Sequence, residues 1–178
     1  KSPVFWNKAR SMDSIFFYRN PQVSENVPGP LKGVRIAVQS NIPVAGWPTQ
    51  AGSEALAGFN ALENAAVVER LEQNGAVIVG STQMSEFGFG LNGKSAAGKA
   101  VERKQADAEV MLDLAGEVRL AACRAGLWGF KPSWGLVPRV GVAGLIPSME
   151  ACGIIGDAPG GISAILKTVE KKNVRDFW

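Results

Sequence analysis

Gly33-Val34-Arg35-Ile36-Ala37-Val38, followed further on by Ala76-Val77-Ile78-Val79-Gly80, decides how this chain of 178 residues folds. The first run alternates and then turns continuously apolar, the pattern of a strand buried on both faces. The second is short and β-branched, which also favours a strand. Between them, residues 41–52 hold Pro43, Gly46, Pro48 and Gly52 and must form a loop. Ala61, Ala65, Val68 and Leu71 then recur at the helical period over 61–74, and Gly75 supplies the stop. Strand, helix and strand in that order predict a parallel βαβ unit with a right-handed crossover.

Working outward, residues 1–28 read as an N-terminal helical or loop segment that includes Phe16, Phe17 and Tyr18, and Pro28-Gly29-Pro30 punctuates its end. Downstream, a short helix is predicted around Thr82–Phe87. A longer one is predicted over residues 96–110, from their Ala, Lys, Glu and Gln content. Val110-Met111-Leu112 begins a further strand, and Leu120–Gly126 reads as a helix of small residues. Pro138–Pro147 reads as loop and edge strand, and Ile162–Lys171 as a closing amphipathic helix. The expected fold is α/β, one domain over residues 1–178.

Composition excludes several functions. Histidine is absent, which removes Ser-His-Asp and Cys-His catalysis and any imidazole-based zinc site. Cys123 and Cys152 lack metal-ligand or redox spacing, so reduced, buried thiols are expected rather than a disulfide. The net charge is +3, but Lys and Arg are interleaved with Asp and Glu, the densest stretch being Lys99–Asp107. That pattern is a solvated helix face, and no nucleic-acid partner is expected. No apolar run reaches the roughly 18 residues of a membrane span, so the expectation is a cytoplasmic protein with no membrane partner, metal or cofactor.

Three stretches in order resemble the amidase signature family. Gly29-Pro30-Leu31-Lys32-Gly33 leads through Val38 and Asn41-Ile42-Pro43-Val44-Ala45-Gly46 to Ala51-Gly52-Ser53. Ala66-Val67-Val68 leads through Gly75-Ala76-Val77-Ile78-Val79-Gly80 to Met84-Ser85-Glu86-Phe87. Gly129-Phe130-Lys131-Pro132-Ser133 leads to Ile146-Pro147-Ser148. The resemblance implies a mixed sheet flanked by helices, here a shortened amidase signature fold. It also implies chemistry that uses a neutral lysine base, a bridging serine and a serine nucleophile, with an oxyanion hole made of backbone N–H groups in a glycine-rich turn.

At the positions that match this machinery, the reactive residues are missing. Val38-Gln39-Ser40-Asn41 stands where the family has its lysine, and the amide of Gln39 cannot serve as a base. Asp113-Leu114-Ala115-Gly116-Glu117-Val118-Arg119 matches the nucleophile turn at Asp113, Gly116 and Arg119, but Glu117 replaces the serine. Of the bridging-serine segment, Ser95 is the remnant. The family's second, pocket-forming portion has no counterpart in these residues.

The expectation is therefore a non-catalytic pseudo-amidase that acts through binding, as an accessory subunit or small-ligand sensor. Asp113, Gly116, Glu117 and Arg119 are its candidate ligand-binding residues. Trp47, Trp128 and Trp134 are all expected as core or former pocket-wall residues that now face a surface left open, and a homo-oligomer or a larger protein partner is expected to cover that surface. The competing expectation is an amide or ester hydrolase rebuilt around Glu117, Ser95 and Lys94. Glu117 itself is expected near a helix start, favoured by the helix dipole or paired with Arg119, and Lys131 is a further candidate neighbour.

Overall fold

A computed structural model describes residues 15–22, 27–89, 91 and 95–170. Six strands form one mixed sheet: β1 (Phe16–Arg19), β2 (Arg35–Gln39), β3 (Val77–Thr82), β4 (Ala108–Asp113), β5 (Trp128–Phe130) and β6 (Ala151–Gly156), in the order β1-β3-β2-β4-β6-β5. β3, β2 and β4 run parallel, and the other pairings are antiparallel. The helices are α1 (Ala66–Gln73), α2 (Lys99–Glu102), α3 (Glu117–Ala125) and α4 (Pro159–Val169).

Side chains alternate across each strand, so every central strand feeds two cores. Ile36, Val38, Ile78, Val110, Leu112 and Ile154 point to the face covered by α1 and α4, against Val67, Leu71, Ile162 and Ile165. On the opposite face, Met111 and Ile155 pack under Val118 and Ala122 of α3. α3 lies close to the sheet because two strand glycines leave room. A Cβ at Gly153 would stand 2.8 Å from the Phe130 carbonyl oxygen and from Val118, and one at Gly129 would stand 2.7 Å from the Ala122 methyl.

The βαβ unit forms as the sequence predicts, with a shorter helix. Residues 61–65 are irregular, and the Ala65 and Ala61 amides bond the carbonyls of Pro43 and Trp47 instead of starting a helical turn. The helix expected over 96–110 stops at Glu102. Ala108 must be extended to sit opposite Ile36, so strand pairing overrides a strong helical composition. The segment expected to be helical or loop contains β1, which pairs with β3. Pro138–Pro147 contains no strand, and the sheet edge is β5 instead. That loop is pinned by buried Glu150, which accepts the amides of Leu145 and Ile146 and pairs with Arg139. Cys152 is buried as expected, and burial pushes its thiol up to about 12, whereas Cys123 is exposed. Trp47 is partly buried against the larger core, its ring 4.9 Å from that of Tyr18. Among the described residues no helix is long and apolar enough to cross a membrane.

One buried carboxylate lies in the middle of β4. Glu109 is fully enclosed, with the Thr82 hydroxyl 2.6 Å from one oxygen and the Gly98 amide donating to the other at 2.7 Å. Burial raises its pKa to about 7, with those two hydrogen bonds pulling back against the shift. Between the ordinary value of 4.5 and about 7, the folded chain holds a proton that the unfolded chain has released. Stability contributed by this group is thus complete below pH 4.5 and is lost as pH rises towards 7. Urea unfolding as a function of pH should show a fall of about 3 kcal/mol across that window. Glu109→Gln keeps the hydrogen bonds and should flatten it.

Candidate functional site

The chain runs from β2 to β3 on one side and then crosses back to β4 on the other, so strand order reverses between β2 and β4. Crevices outside the carboxyl ends of strands at such a reversal are where open α/β sheets place ligands. Gln39 ends β2 and Asp113 ends β4, which puts both at this point.

Asp113 organises the turn into α3. Its fully buried carboxylate accepts the Gly116 amide at 2.8 Å, and Arg119 holds both its oxygens through Nη2 at 3.0 Å and Nε at 3.1 Å. Lys131 Nζ lies 3.5 Å from the same group and donates to the carbonyls of Leu114 and Met149. Burial alone would push the Asp113 pKa up. The Arg119 hydrogen bonds, the two positive charges and the Gly116 amide outweigh it and hold the carboxyl below its usual range. Gly116 has φ of +127°, a conformation that a side chain would strain, and it turns the amides of residues 114–116 towards one point.

Glu117 occupies that point. It is the first residue of α3, and one carboxylate oxygen, Oε2, accepts the amides of Leu114 at 2.9 Å, Ala115 at 2.8 Å and Gly116 at 3.1 Å. Its other oxygen, Oε1, is buried and has no hydrogen-bond partner among the described residues. Beside it opens a cleft of about 100 Å³ lined by Gln39, Ser95, Met111, Glu117, Leu120 and Arg124 among others. Gln39 is buried and its Oε1 accepts the Leu112 amide at 3.2 Å, while the Ser95 hydroxyl accepts the Ala97 amide at 3.2 Å.

The structure thus brings Gln39, Ser95 and Glu117 to one cleft, and sets Asp113, Gly116 and Arg119 behind it as the frame of the turn. Lys94 lies outside the described residues. Glu117 sits at a helix start as expected, but Arg119 and Lys131 pair with Asp113. Asp113 and Arg119 hold the turn, as the resemblance implies; Lys131 as a second partner of Asp113 was not foreseen, nor was Glu109, whose signal was a single charge in the apolar run Ala108–Leu112. Among the described residues no three His, Cys, Asp or Glu side chains converge as a metal site.

Known proteins share this architecture. Residues 18–103 match the family model described as Amidase. The chain is 35% identical over 169 residues to the glutamyl-tRNA(Gln) amidotransferase A subunit of Halobacterium salinarum, covering 83% of this chain and 40% of that protein. It is 33% identical over 171 residues to the mitochondrial counterpart of Ajellomyces capsulatus, covering 83% of this chain and 33% of that one. Among solved structures, the corresponding subunit from Thermotoga maritima superposes with a TM-score of 0.79 at 24% identity, over 91% of this chain and 40% of its own. The peptide amidase of Stenotrophomonas maltophilia gives 0.75 at 26%, over 84% and 36%. The chain spans between a third and two fifths of the length of these relatives.

Removing Asp113 strips Arg119 and Lys131 of their partner and frees the turn. Asp113→Ala should cost about 3 kcal/mol in chemical denaturation at neutral pH, as loss of one partner of a buried pair does. Because the folded pKa is lowered, this contribution is present above the ordinary value of 3.8 and lost as pH falls through the lowered one. The variant's deficit should therefore shrink in acid.

Proposed function

Because the chain belongs to the amidase signature family, we propose that it is a non-catalytic member that acts through binding, as an accessory subunit or small-ligand sensor. The observation that carries this reading is the seat of Glu117. By the family resemblance, the amides of residues 114–116 correspond to the turn that stabilises a developing oxyanion. Here they already hold a carboxylate of the chain itself. A negative charge formed on a substrate would meet occupied donors and a like charge, the reverse of what acyl transfer needs. Gln39 supports the same reading, since its amide takes up no proton and its oxygen is committed to Leu112.

The rebuilt-hydrolase alternative is favoured only by Ser95 and Glu117 sharing the cleft. Against it, Glu117 Oε1 has no hydrogen-bond partner among the described residues, so it is not bonded to Ser95 as a base would be. Incubated with a panel of short primary amides and esters, the purified chain should release product no faster than buffer, and Glu117→Ala should behave identically. Turnover above background that Glu117→Ala abolishes would overturn the proposal.

The binding role extends to a protein surface. β5 is an open edge with Trp128 and Phe130 exposed, and they line a groove of about 310 Å³ with Pro159, Ile162 and Leu166 of α4. Trp134 is 58% exposed nearby in sequence. An open strand edge beside apolar surface favours association, and relatives named as subunits belong to assemblies. Light scattering should give a mass above the 18.8 kDa of one chain, and Trp128→Glu should lower it. A single-chain mass for both would count against self-association.

A further inference from the structure

We propose that Glu109 latches one wall of the cleft to the sheet, and that the latch lets go when its carboxyl loses its proton. The wall is residues 95–102, of which Ser95, Ala97, Lys99 and Glu102 line the cleft. Its backbone is tied at Ala96, whose amide bonds the Gln83 carbonyl at 3.0 Å. Beyond α2 the chain is tied again at Asp107, whose amide bonds the Arg35 carbonyl at 2.7 Å. Midway, the Gly98 amide donates to Glu109 Oε2 at 2.7 Å. Glu109 Oε1 lies 2.6 Å from the Thr82 hydroxyl at the end of β3, so one carboxyl joins the wall to two strands.

The surroundings of that carboxyl suit its neutral form. It is fully enclosed, with Ala37 of β2 and Ile155 of β6 as its neighbours across the sheet. The charged side chains on the elements packed around it are Lys99 and Glu102 on α2, Glu117, Arg119 and Arg124 on α3, Arg35 on β2, and Asp107 and Asp113 on β4; β3 and β6 carry none. Arg119 is held by Asp113, Arg35 by Asp107 and Arg124 by the Leu91 carbonyl, while Lys99 and Glu102 are exposed. With its proton, Glu109 donates to Thr82 and accepts from Gly98, so both oxygens are satisfied. Without it, a charge is enclosed with one hydroxyl and one amide, and only water could complete its shell.

The wall is the element that yields to admit it. Ala96, Ala100 and Ala106 pack there with Ala37 and Ile15, whereas the larger core is built of isoleucine, valine and leucine. Alanine methyls bury little apolar area, and α2, at four residues, is too short to hold itself. Segments packed this lightly open locally before the whole chain unfolds. Opening carries Ser95, Ala97, Lys99 and Glu102 away from Gln39, Met111 and Glu117 and turns the cleft into open surface. The cleft is then closed in mild acid and loosened above neutrality. That consequence rests on the cleft being the ligand site of the reading above; the latch itself does not.

The test is amide hydrogen exchange of the whole chain between about pH 5 and pH 8, corrected for the effect of pH on the intrinsic rate. The reporters are the amides of Glu102 and Arg103, bonded to the carbonyls of Gly98 and Lys99. They should exchange through an opening smaller than global unfolding, and so be less protected than the amides of Ile36–Val38 in β2. With the enclosed carboxyl at about 7 and the opened one at its ordinary 4.5, that opening should become roughly seventyfold more frequent across the range. Glu109→Gln has no proton to lose and should hold it constant. Reporters as well protected as β2 at both ends of the range would overturn the proposal, since Glu109 would then ionise only on global unfolding. So would exchange that ignores pH in the wild type, or follows it equally in Glu109→Gln. The wild-type profile decides the matter by itself if the variant does not fold. Amide turnover that depends on Glu117 would sink the non-catalytic reading and leave the latch untouched.

Discussion

The carboxylate of Asp113 joins three parts of the chain that are distant in sequence. It closes the carboxyl end of β4, fixes the first turn of α3 through Gly116 and Arg119, and draws in Lys131 from beyond β5. Each of these partners is positioned by something else as well: Arg119 by α3, Lys131 by the carbonyls of Leu114 and Met149. The charge is therefore buried without being isolated, which is the condition under which a buried ion contributes to stability rather than opposing it. With the turn held this way, the amides of residues 114–116 converge, and the cleft has a rigid wall.

β4 carries two buried acids four residues apart, and they titrate in opposite directions. Asp113 faces two cations and an amide. Glu109 faces a hydroxyl and an amide with no cation. Both point to the α3 side of the sheet, so strand geometry places them and neighbours alone decide their charge. Neutral Glu109 can donate to Thr82, whose hydroxyl lies 3.4 Å from the Val38 carbonyl, giving a short chain of bonds across three strands. The proton of Glu109 and the charge of Asp113 thus serve the same end, the tying of β4 into its surroundings.

The parallel core was legible in the sequence because burial on both faces leaves an unmistakable apolar run at Ile36–Val38 and Val77–Val79. β6 was not, since Ala151-Cys152-Gly153-Ile154-Ile155-Gly156 owes its glycine content to the close approach of α3 and of Phe130, a tertiary demand. The overlong helix at 96–110 failed for a related reason: propensity is local, and the register that fixes Ala108 opposite Ile36 is not. At the site, the residue types at positions 39, 95 and 117 could be read directly. The bond from Glu117 back to its own turn could not, because the sequence offered Arg119 as an equally good partner and only the geometry shows Asp113 claiming it.

That backward bond also explains why a carboxylate at position 117 has consequences that a merely inert residue would lack. An alanine there would leave the three amides open to water or to any passing oxyanion. A glutamate carries its own anion on a tether of two methylenes, at an effective concentration no free ligand matches. The donor set of residues 114–116 is thereby closed to any other acceptor. The second oxygen of Glu117 is buried without a hydrogen-bond partner among the described residues, on a side chain that lines the cleft.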